Sequence, residues 1–153
     1  MHFEGRDAIA APIGQVWAFL VDPNQVAGCA PGFQRMEVLA DDHFKPVLTV
    51  GVGPVKATFT LDVTLTEQRP PHHAVIRARG VAAGSAVDAT SNMDLSADSA
   101  DATTLSWSAD VMVSGTLASV GSRLMERTAQ MMTQRFFDCI RQRLTEAAAA
   151  AAS

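Results

Sequence analysis

From Phe33 onward, hydrophobic and polar residues alternate along the chain, and this period of two predicts a series of β-strands. The alternation is clearest over residues 55–67, VKATFTLDVTLTE, where apolar side chains face one way and Asp62 and the threonines face the other. Turn residues separate six such strands at DDH, GP, RPPHH, the segment GVAAGS, which we expect to be flexible, and ADSAD. Outside residues 55–67, the inward positions are Met36, Val38 and Ala40; Phe44, Leu48, Val50 and Val52; Ala74, Ile76 and Ala78; Val87, Ala89, Ser91, Met93 and Leu95; and Leu105, Trp107, Ala109, Val111 and Val113.

The segment before these strands predicts one more strand and two short helices. Residues 2–10, HFEGRDAIA, alternate and predict a short strand. A helix then begins near Pro12 and ends at Asp22, because the residue before a proline avoids helical angles. A second short helix runs from about Pro23 to Gly28, and the Pro-Gly pair of CAPGF predicts a turn.

The last predicted element is a long helix from about Thr116 to Ala147. Its apolar face is rich in methionine, which repacks at low cost and suits surfaces that accept variable apolar partners. This face either closes an ordinary core or covers a cavity. It comprises Leu117, Gly121, Leu124, Met125, Thr128, Met131, Met132 and Phe136, whereas Arg123, Glu126, Arg127, Gln130 and Gln134 fall on the opposite side.

The order of elements predicts an α+β fold in which a curved antiparallel sheet of about seven strands wraps around the long C-terminal helix. Each later strand has one polar and one apolar face, so the helix is the natural cover for the apolar side. Small inward residues such as Ala78, Ala89 and Ala109 leave room for a cavity. We predict a single domain, residues 1–147, followed by an Ala-rich tail, residues 148–153, that is either a fraying helix extension or a linker.

Composition narrows the functional classes. Hydrophobic residues make up 48% and charged residues 18% of the 153, as in globular proteins, and the net charge of −4 argues against nucleic acid as a partner. No apolar stretch approaches the roughly 20 residues that a membrane span needs. The charged N-terminal segment does not resemble a signal peptide, so we expect a cytoplasmic protein. Cys29 and Cys139 lie far apart without metal-ligand spacing, and free thiols are preferred over a disulfide.

Catalytic and metal motifs are missing from the sequence. There is no Gly-x-Ser-x-Gly, His-Glu-x-x-His or Cys-x-x-Cys segment, so no enzyme activity, metal or cofactor is predicted. Asp7 shares the parity of the inward residues and is either a buried polar contact or, more simply, a sign that the first strand ends early. The histidines and the remaining strand carboxylates are predicted at the surface: His2, His43, His72, His73, Asp62, Asp88, Asp94 and Asp110.

Among three further side chains, Trp107 and Arg135 have two interpretations each and Trp17 has one. Trp107 either packs in the core, which is preferred, or stacks on an aromatic ligand. Trp17, near the expected mouth of the cavity, is expected in the core. Arg135 projects close to the apolar face of the long helix, where it either extends to solvent, the preferred interpretation, or hydrogen-bonds a ligand carbonyl or a buried carboxylate.

Five stretches, in order, resemble the CoxG family of carbon monoxide dehydrogenase subunits, within the START-like (SRPBCC) helix-grip superfamily. They are APIGQVWAFLVDPNQVAGCAPG, VGPVKATFTLDVTL, PPHHAVIRARG, GTLASVGSRL and QRFF, and the resemblance covers about His2 to Leu144. The segment AGSAVDA, residues 83–89, departs from the family's glycine-rich strand start, which often carries an aromatic residue and a lysine.

The resemblance implies a non-enzymatic carrier of a lipophilic molecule, a quinone or other isoprenoid, accessory to a molybdenum hydroxylase of the carbon monoxide dehydrogenase type. It also allows transient contact with the inner face of a membrane. The alternative is a polyketide cyclase or dehydratase acting on an apolar ligand in the same cavity. The resemblance and the hydrophobic pattern together give these candidate ligand-binding residues: Phe59, Leu61, Met93, Trp107, Val111, Leu124, Thr128, Met131, Met132, Arg135 and Phe136.

Overall fold

A computed structural model describes the backbone of residues 1–152 and the side chains of residues 1–147. It contains seven strands and three α-helices in the predicted order. The strands are β1 (His2–Ile9), β2 (Phe33–Ala40), β3 (His43–Val52), β4 (Val55–Arg69), β5 (His73–Ala82), β6 (Ser85–Ser99) and β7 (Ala102–Gly115). The helices are α1 (Ile13–Leu20), α2 (Pro23–Val26) and α3 (Ser122–Ala152), with short 3-10 turns at Ala27–Cys29 and Thr116–Val120.

The strands form one antiparallel sheet in the order β1-β7-β6-β5-β4-β3-β2. Successive strands from β2 to β7 are neighbours, and β1 returns to pair with β7 along its whole length. The sheet curves around α3, which confirms the predicted helix-grip architecture. Its apolar face turns toward the helix, as the alternation of inward residues predicts.

Local chemistry explains where the short elements begin and turn. Asp22 caps α2 by accepting a hydrogen bond from the backbone N–H of Asn24 at 3.0 Å, and Pro23 occupies the first helical turn.

The segment expected to be flexible, GVAAGS, is instead mostly strand, because β5 continues to Ala82 and β6 starts at Ser85. A two-residue turn joins them, and its Gly84 has a φ of +77°, a conformation that glycine adopts without strain.

The first strand does not end early. β1 pairs with β7 through Ile9, and Asp7 lies opposite Leu105 in the register. The Asp7 carboxylate accepts a hydrogen bond from Arg141 Nη1 at 2.7 Å, with its side chain only 23% exposed. Asp7 is therefore a partly buried polar contact that joins β1 to α3, and the simpler prediction of a short strand is wrong.

The packing of α3 is uneven along its length. Its C-terminal half closes the main core, where Ile140 and Leu144 are buried against α1 residues such as Val16 and against Leu105. Toward the N-terminus the helix buries less, and Met125, Thr128 and Met132 are only partly buried. No helix among the described residues is long and apolar enough to cross a membrane.

The prediction of free thiols is wrong. Cys29 and Cys139 form a disulfide, with their Cα atoms 5.5 Å apart. The 3-10 turn after α2 brings Cys29 onto α3, although the two cysteines are 110 residues apart in sequence. That separation hides the pairing from any local pattern. The bridge fastens residues 23–31, called here the cap segment, to the long helix.

Candidate functional site

Two adjoining chambers lie between the apolar face of the sheet and α3. The first has a volume of about 410 Å³ and the second about 340 Å³. A groove of about 810 Å³ on the opposite face of the sheet is larger, but it is lined by charged and polar side chains that bond one another, such as Arg79 with Asp88. The two inner chambers share the residues Leu48, Leu61, Trp107, Ala109, Met132 and Thr133, which form a common wall.

The first chamber extends from the common wall toward the cap segment. The cap contributes Val26, Ala27, Ala30 and Pro31, and α3 contributes Phe136 and Phe137. The second chamber extends toward the N-terminal end of α3, where Met125, Thr128 and Ala129 face it. Phe59, Val87 and Val111 complete its wall from the sheet. Both chambers are therefore closed mainly by hydrocarbon.

Few polar groups face the chambers. Three hydroxyl groups are present, those of Ser91, Thr128 and Thr133. Ser91 donates to the Ser108 carbonyl at 3.0 Å, and Thr128 donates to the Leu124 carbonyl at 3.0 Å. Among the described residues, no titratable side chain lines either chamber and no group of side chains could hold a metal ion.

Trp107 forms a central part of the common wall. Its ring stacks on Phe137 with centroids 6.1 Å apart, and Phe137 in turn meets Phe136 edge to face at 5.4 Å. The indole Nε1 is buried and has no hydrogen-bond partner among the described residues. Trp107 therefore packs on an aromatic core residue, which is its preferred interpretation, and also lines both chambers. Its stacking on an aromatic ligand stays a prediction. Trp17 lies in the core, as predicted.

Most of the predicted ligand-binding residues line the chambers. Eight do so: Phe59, Leu61, Met93, Trp107, Val111, Thr128, Met132 and Phe136. The other three do not. Leu124 lines neither chamber itself but packs in the apolar cluster that includes Phe59 and Leu117 of the second chamber. Met131 is 41% exposed, and Arg135 is exposed to solvent, the preferred of its two interpretations.

Three of the predicted residues line neither chamber because the predicted inward face of α3 is turned about the helix axis from the observed one. The residues of α3 that line the chambers or the main core are Met125, Thr128, Ala129, Met132, Thr133, Phe136, Phe137, Ile140 and Leu144. The methionine-rich pattern predicts a face of α3 that includes Met131 and leaves out Thr133 and Phe137, so it is turned about the helix axis relative to the observed face. The Phe137–Ile140–Leu144 spacing, which fixes the phase in the C-terminal half, was available as a signal.

The histidines lie outside the chambers, on the surface side of the sheet or at its turns. His43 and His73 contact Asp62 and Asp94 at 2.7 Å. His2 lies 2.8 Å from Asp110 and 3.2 Å from Glu4, and these hydrogen bonds raise the pKa of His2 above its ordinary value of 6.5. None of these groups reaches the inner cavity.

The fold and its apolar chambers define the class of the protein: a START-like domain with ligand-sized space between the sheet and the long helix. The model of the CoxG family, named for a subunit of carbon monoxide dehydrogenase, matches residues 5–145, and the chain belongs to this family. No curated protein sequence gives a significant match.

Solved structures with the same fold cover nearly the whole chain. A conserved protein from Geobacillus kaustophilus is 24% identical, with a TM-score of 0.89 over 95% of this chain and 96% of that one. The Zhui aromatase/cyclase from Streptomyces sp. R1128 is 18% identical, with a TM-score of 0.70 over 95% and 93%. A START superfamily protein from Mycobacterium smegmatis is 10% identical, with a TM-score of 0.74 over 95% and 97%.

Proposed function

We propose that the protein binds a neutral, apolar small molecule in the two joined chambers and carries it without transforming it. The observation that carries this proposal is the pair of chambers, which are lined mainly by hydrocarbon. Among the described residues, the polar groups of the lining side chains that a ligand could meet are three hydroxyls, and Met1 of the second chamber directs its N-terminal ammonium to the Val111 carbonyl at 2.6 Å. Their volumes fall at the lower end of the range of small-molecule sites. Apolar surface buried there contributes roughly 25 cal/mol per Å² to binding.

The ligand class we propose is a quinone or another isoprenoid. Two chambers that meet at a common wall suit a molecule with a compact head and an apolar tail. The family's name supports a role beside a molybdenum hydroxylase of the carbon monoxide dehydrogenase type. In this role the protein acts in the cytoplasm, with transient contact at the inner face of the membrane to load or deliver its ligand.

A second candidate function is that of a polyketide cyclase or dehydratase. It is favoured by one structural neighbour, whose name describes an aromatase/cyclase. Such chemistry needs acid and base groups within hydrogen-bond reach of the substrate. Among the described residues, the walls of both chambers carry no such titratable side chain, and the Asp7–Arg141 pair lies outside them. Carriage is therefore the better-supported proposal.

Native mass spectrometry of protein purified from its own host, followed by lipid extraction, tests the proposal. We expect an apolar molecule to be released, and menaquinone to quench tryptophan fluorescence when added to the emptied protein. Ala109→Phe places a ring in the wall that both chambers share, so it should abolish the quenching. Met131→Phe is the control, because it adds the same ring at an exposed position of α3 that lines neither chamber.

Two results would count against carriage. One is a protein that is empty on purification and is not quenched by menaquinone. The other is quenching that survives Ala109→Phe in a folded variant, which would place the ligand elsewhere. Turnover of an added polyketide by the wild-type protein would favour the second candidate function.

A further inference from the structure

We infer that Thr133 selects the chemistry of the ligand: a neutral molecule that presents a hydrogen-bond acceptor, a carbonyl or ether oxygen, at the boundary between the two chambers, with apolar groups on either side. This inference rests on the proposed function, since it concerns the same cavity. It adds the residue that discriminates among apolar ligands and the position of their polar atom.

The three hydroxyl groups of the chambers differ in their hydrogen bonding. Those of Ser91 and Thr128 already donate to main-chain carbonyls, each at 3.0 Å. The Thr133 hydroxyl has no hydrogen-bond partner among the described residues, and its oxygen is not among the fully buried unsatisfied atoms. It therefore remains accessible, with both its donor and acceptor capacity unused.

The position of Thr133 fixes where the ligand's polar atom lies. Thr133 belongs to the common wall, so its side chain faces both chambers. Its neighbours in that wall include Leu48, Leu61 and Ala109, which offer no hydrogen bond. A ligand that spans both chambers passes this point. A ligand acceptor placed beside Ser91 or Thr128 would instead meet a hydroxyl whose proton is already donated to the main chain, and its desolvation would not be offset.

The polarity of the common wall indicates an acceptor on the ligand. Trp107 Nε1 is fully buried against β1, where a Cβ on Gly5 would lie 2.8 Å from it, so it is not available to a ligand. The accessible Thr133 hydroxyl supplies the donor that a ligand carbonyl or ether oxygen, which can only accept, requires. A carboxylate or phosphate is disfavoured, because among the described residues no cationic side chain lines either chamber to offset its desolvation.

The experiment compares fluorenone with fluorene, two rigid probes of the same skeleton of which only fluorenone carries a carbonyl. Their affinities are measured by isothermal titration calorimetry with the wild-type protein, Thr133→Val, Thr133→Ser and Thr128→Val. Valine matches threonine in shape, so each of the two valine variants removes one hydroxyl and little else, whereas Thr133→Ser keeps the hydroxyl and removes a methyl group. Thr128→Val is the matched control, because its hydroxyl is already engaged within the helix.

We expect Thr133→Val to weaken fluorenone binding roughly five- to tenfold, the range of one neutral hydrogen bond, and to leave fluorene binding unchanged or tighter. Thr133→Ser should retain most of the preference for fluorenone, and Thr128→Val should leave the ratio of the two affinities as in the wild type. Circular dichroism verifies that each variant is folded.

The inference would be overturned if wild type and Thr133→Val had the same ratio of fluorenone affinity to fluorene affinity. It would also be overturned if Thr128→Val reduced this ratio as much as Thr133→Val does. In both cases binding of the two probes would leave the proposed cavity function standing. If the wild-type protein binds neither probe, it is the proposed function that is contradicted.

Discussion

A backbone and a cavity side chain approach each other closely at Gly5. A Cβ atom built on Gly5 would sit 2.8 Å from Trp107 Nε1 and 2.9 Å from two ring carbons of the indole. These distances are shorter than any normal van der Waals contact. Glycine at this position of β1 therefore lets the indole of the neighbouring strand lie flat against the sheet, where it forms the common wall of the chambers.

Gly5→Ala should displace the Trp107 ring. We expect a loss of about 1–3 kcal/mol in unfolding free energy, as for other insertions into packed sites, together with a change in tryptophan fluorescence. Chemical denaturation and emission spectra measure the two effects. Gly51→Ala is the matched control, since Gly51 also lies in a strand but has open space where its Cβ would be. Equal effects in both variants would show that the indole contact is unimportant.

Individual residues of the sheet were more predictable than those of the helix. A strand has only two faces, so the alternation assigned Leu61, Met93 and Trp107 to the inner side correctly. A helix face can rotate by a fraction of a turn, and small or polar members such as Ala129 and Thr133 contribute little to a hydrophobic pattern. The importance of Gly5 depends on a contact across strands, which the local sequence does not reveal.

Among the elements, the cap segment and α3 are joined by a covalent bond as well as by packing. The Cys29–Cys139 bridge links them covalently, and Arg143 lies within 3.5 Å of the position that a Cβ on Gly28 would occupy. Ala27, Ala30 and Pro31 of the same segment line the first chamber. The bridge therefore holds one wall of the cavity in place as well as closing the fold.

Removal of the bridge should destabilise the protein by about 2–4 kcal/mol, because it closes a long loop and thereby restricts the unfolded chain. The comparison is between oxidised protein, protein treated with a phosphine reductant, and the double variant Cys29→Ala/Cys139→Ala, each unfolded in guanidinium chloride. Peptide mapping under non-reducing conditions establishes the pairing. Identical unfolding midpoints for the oxidised and reduced proteins would contradict the prediction.

The order of elements was predictable because each has a local signature: alternation for strands, the Asp22-Pro23 cap for α2, and glycine turns between β-strands. Contacts between residues that are distant in sequence were not predictable. The disulfide and the Asp7–Arg141 hydrogen bond each join the two ends of the chain, and no local pattern records which distant element will be the neighbour.

At the scale of the whole molecule, ionisable groups and the cavity are segregated. His2, whose pKa is raised chiefly by its hydrogen bond to Asp110, lies on the outer side of the sheet. The hydrogen bonds of Arg141, first to Asp7 and then to Asp138, raise its pKa further above its already high ordinary value. Among the described residues, no titratable side chain lines the chambers, and the N-terminal ammonium of Met1, a residue of the second chamber, donates to the Val111 carbonyl at 2.6 Å.

Ligand affinity should therefore be nearly independent of pH. We expect fluorenone to bind with less than about a twofold change between about pH 6 and pH 9, measured by calorimetry at constant ionic strength. Thermal unfolding across the same pH range serves as the comparison, because stability can depend on pH through His2. Any stability contributed by His2 is present below its unfolded pKa and is lost as pH rises through the raised folded pKa. A steep pH dependence of affinity would place an ionisable group in the cavity.

The hydrocarbon walls have a consequence for a cargo that accepts electrons. Reduction of a quinone to a quinol takes up two protons, which a protein normally delivers through carboxylates, histidines or chains of water. The hydroxyl groups of the chamber walls do not release protons near neutral pH. The wall side chains would therefore supply neither proton to a quinone held here, and both would come from water or from an enzyme that receives the ligand.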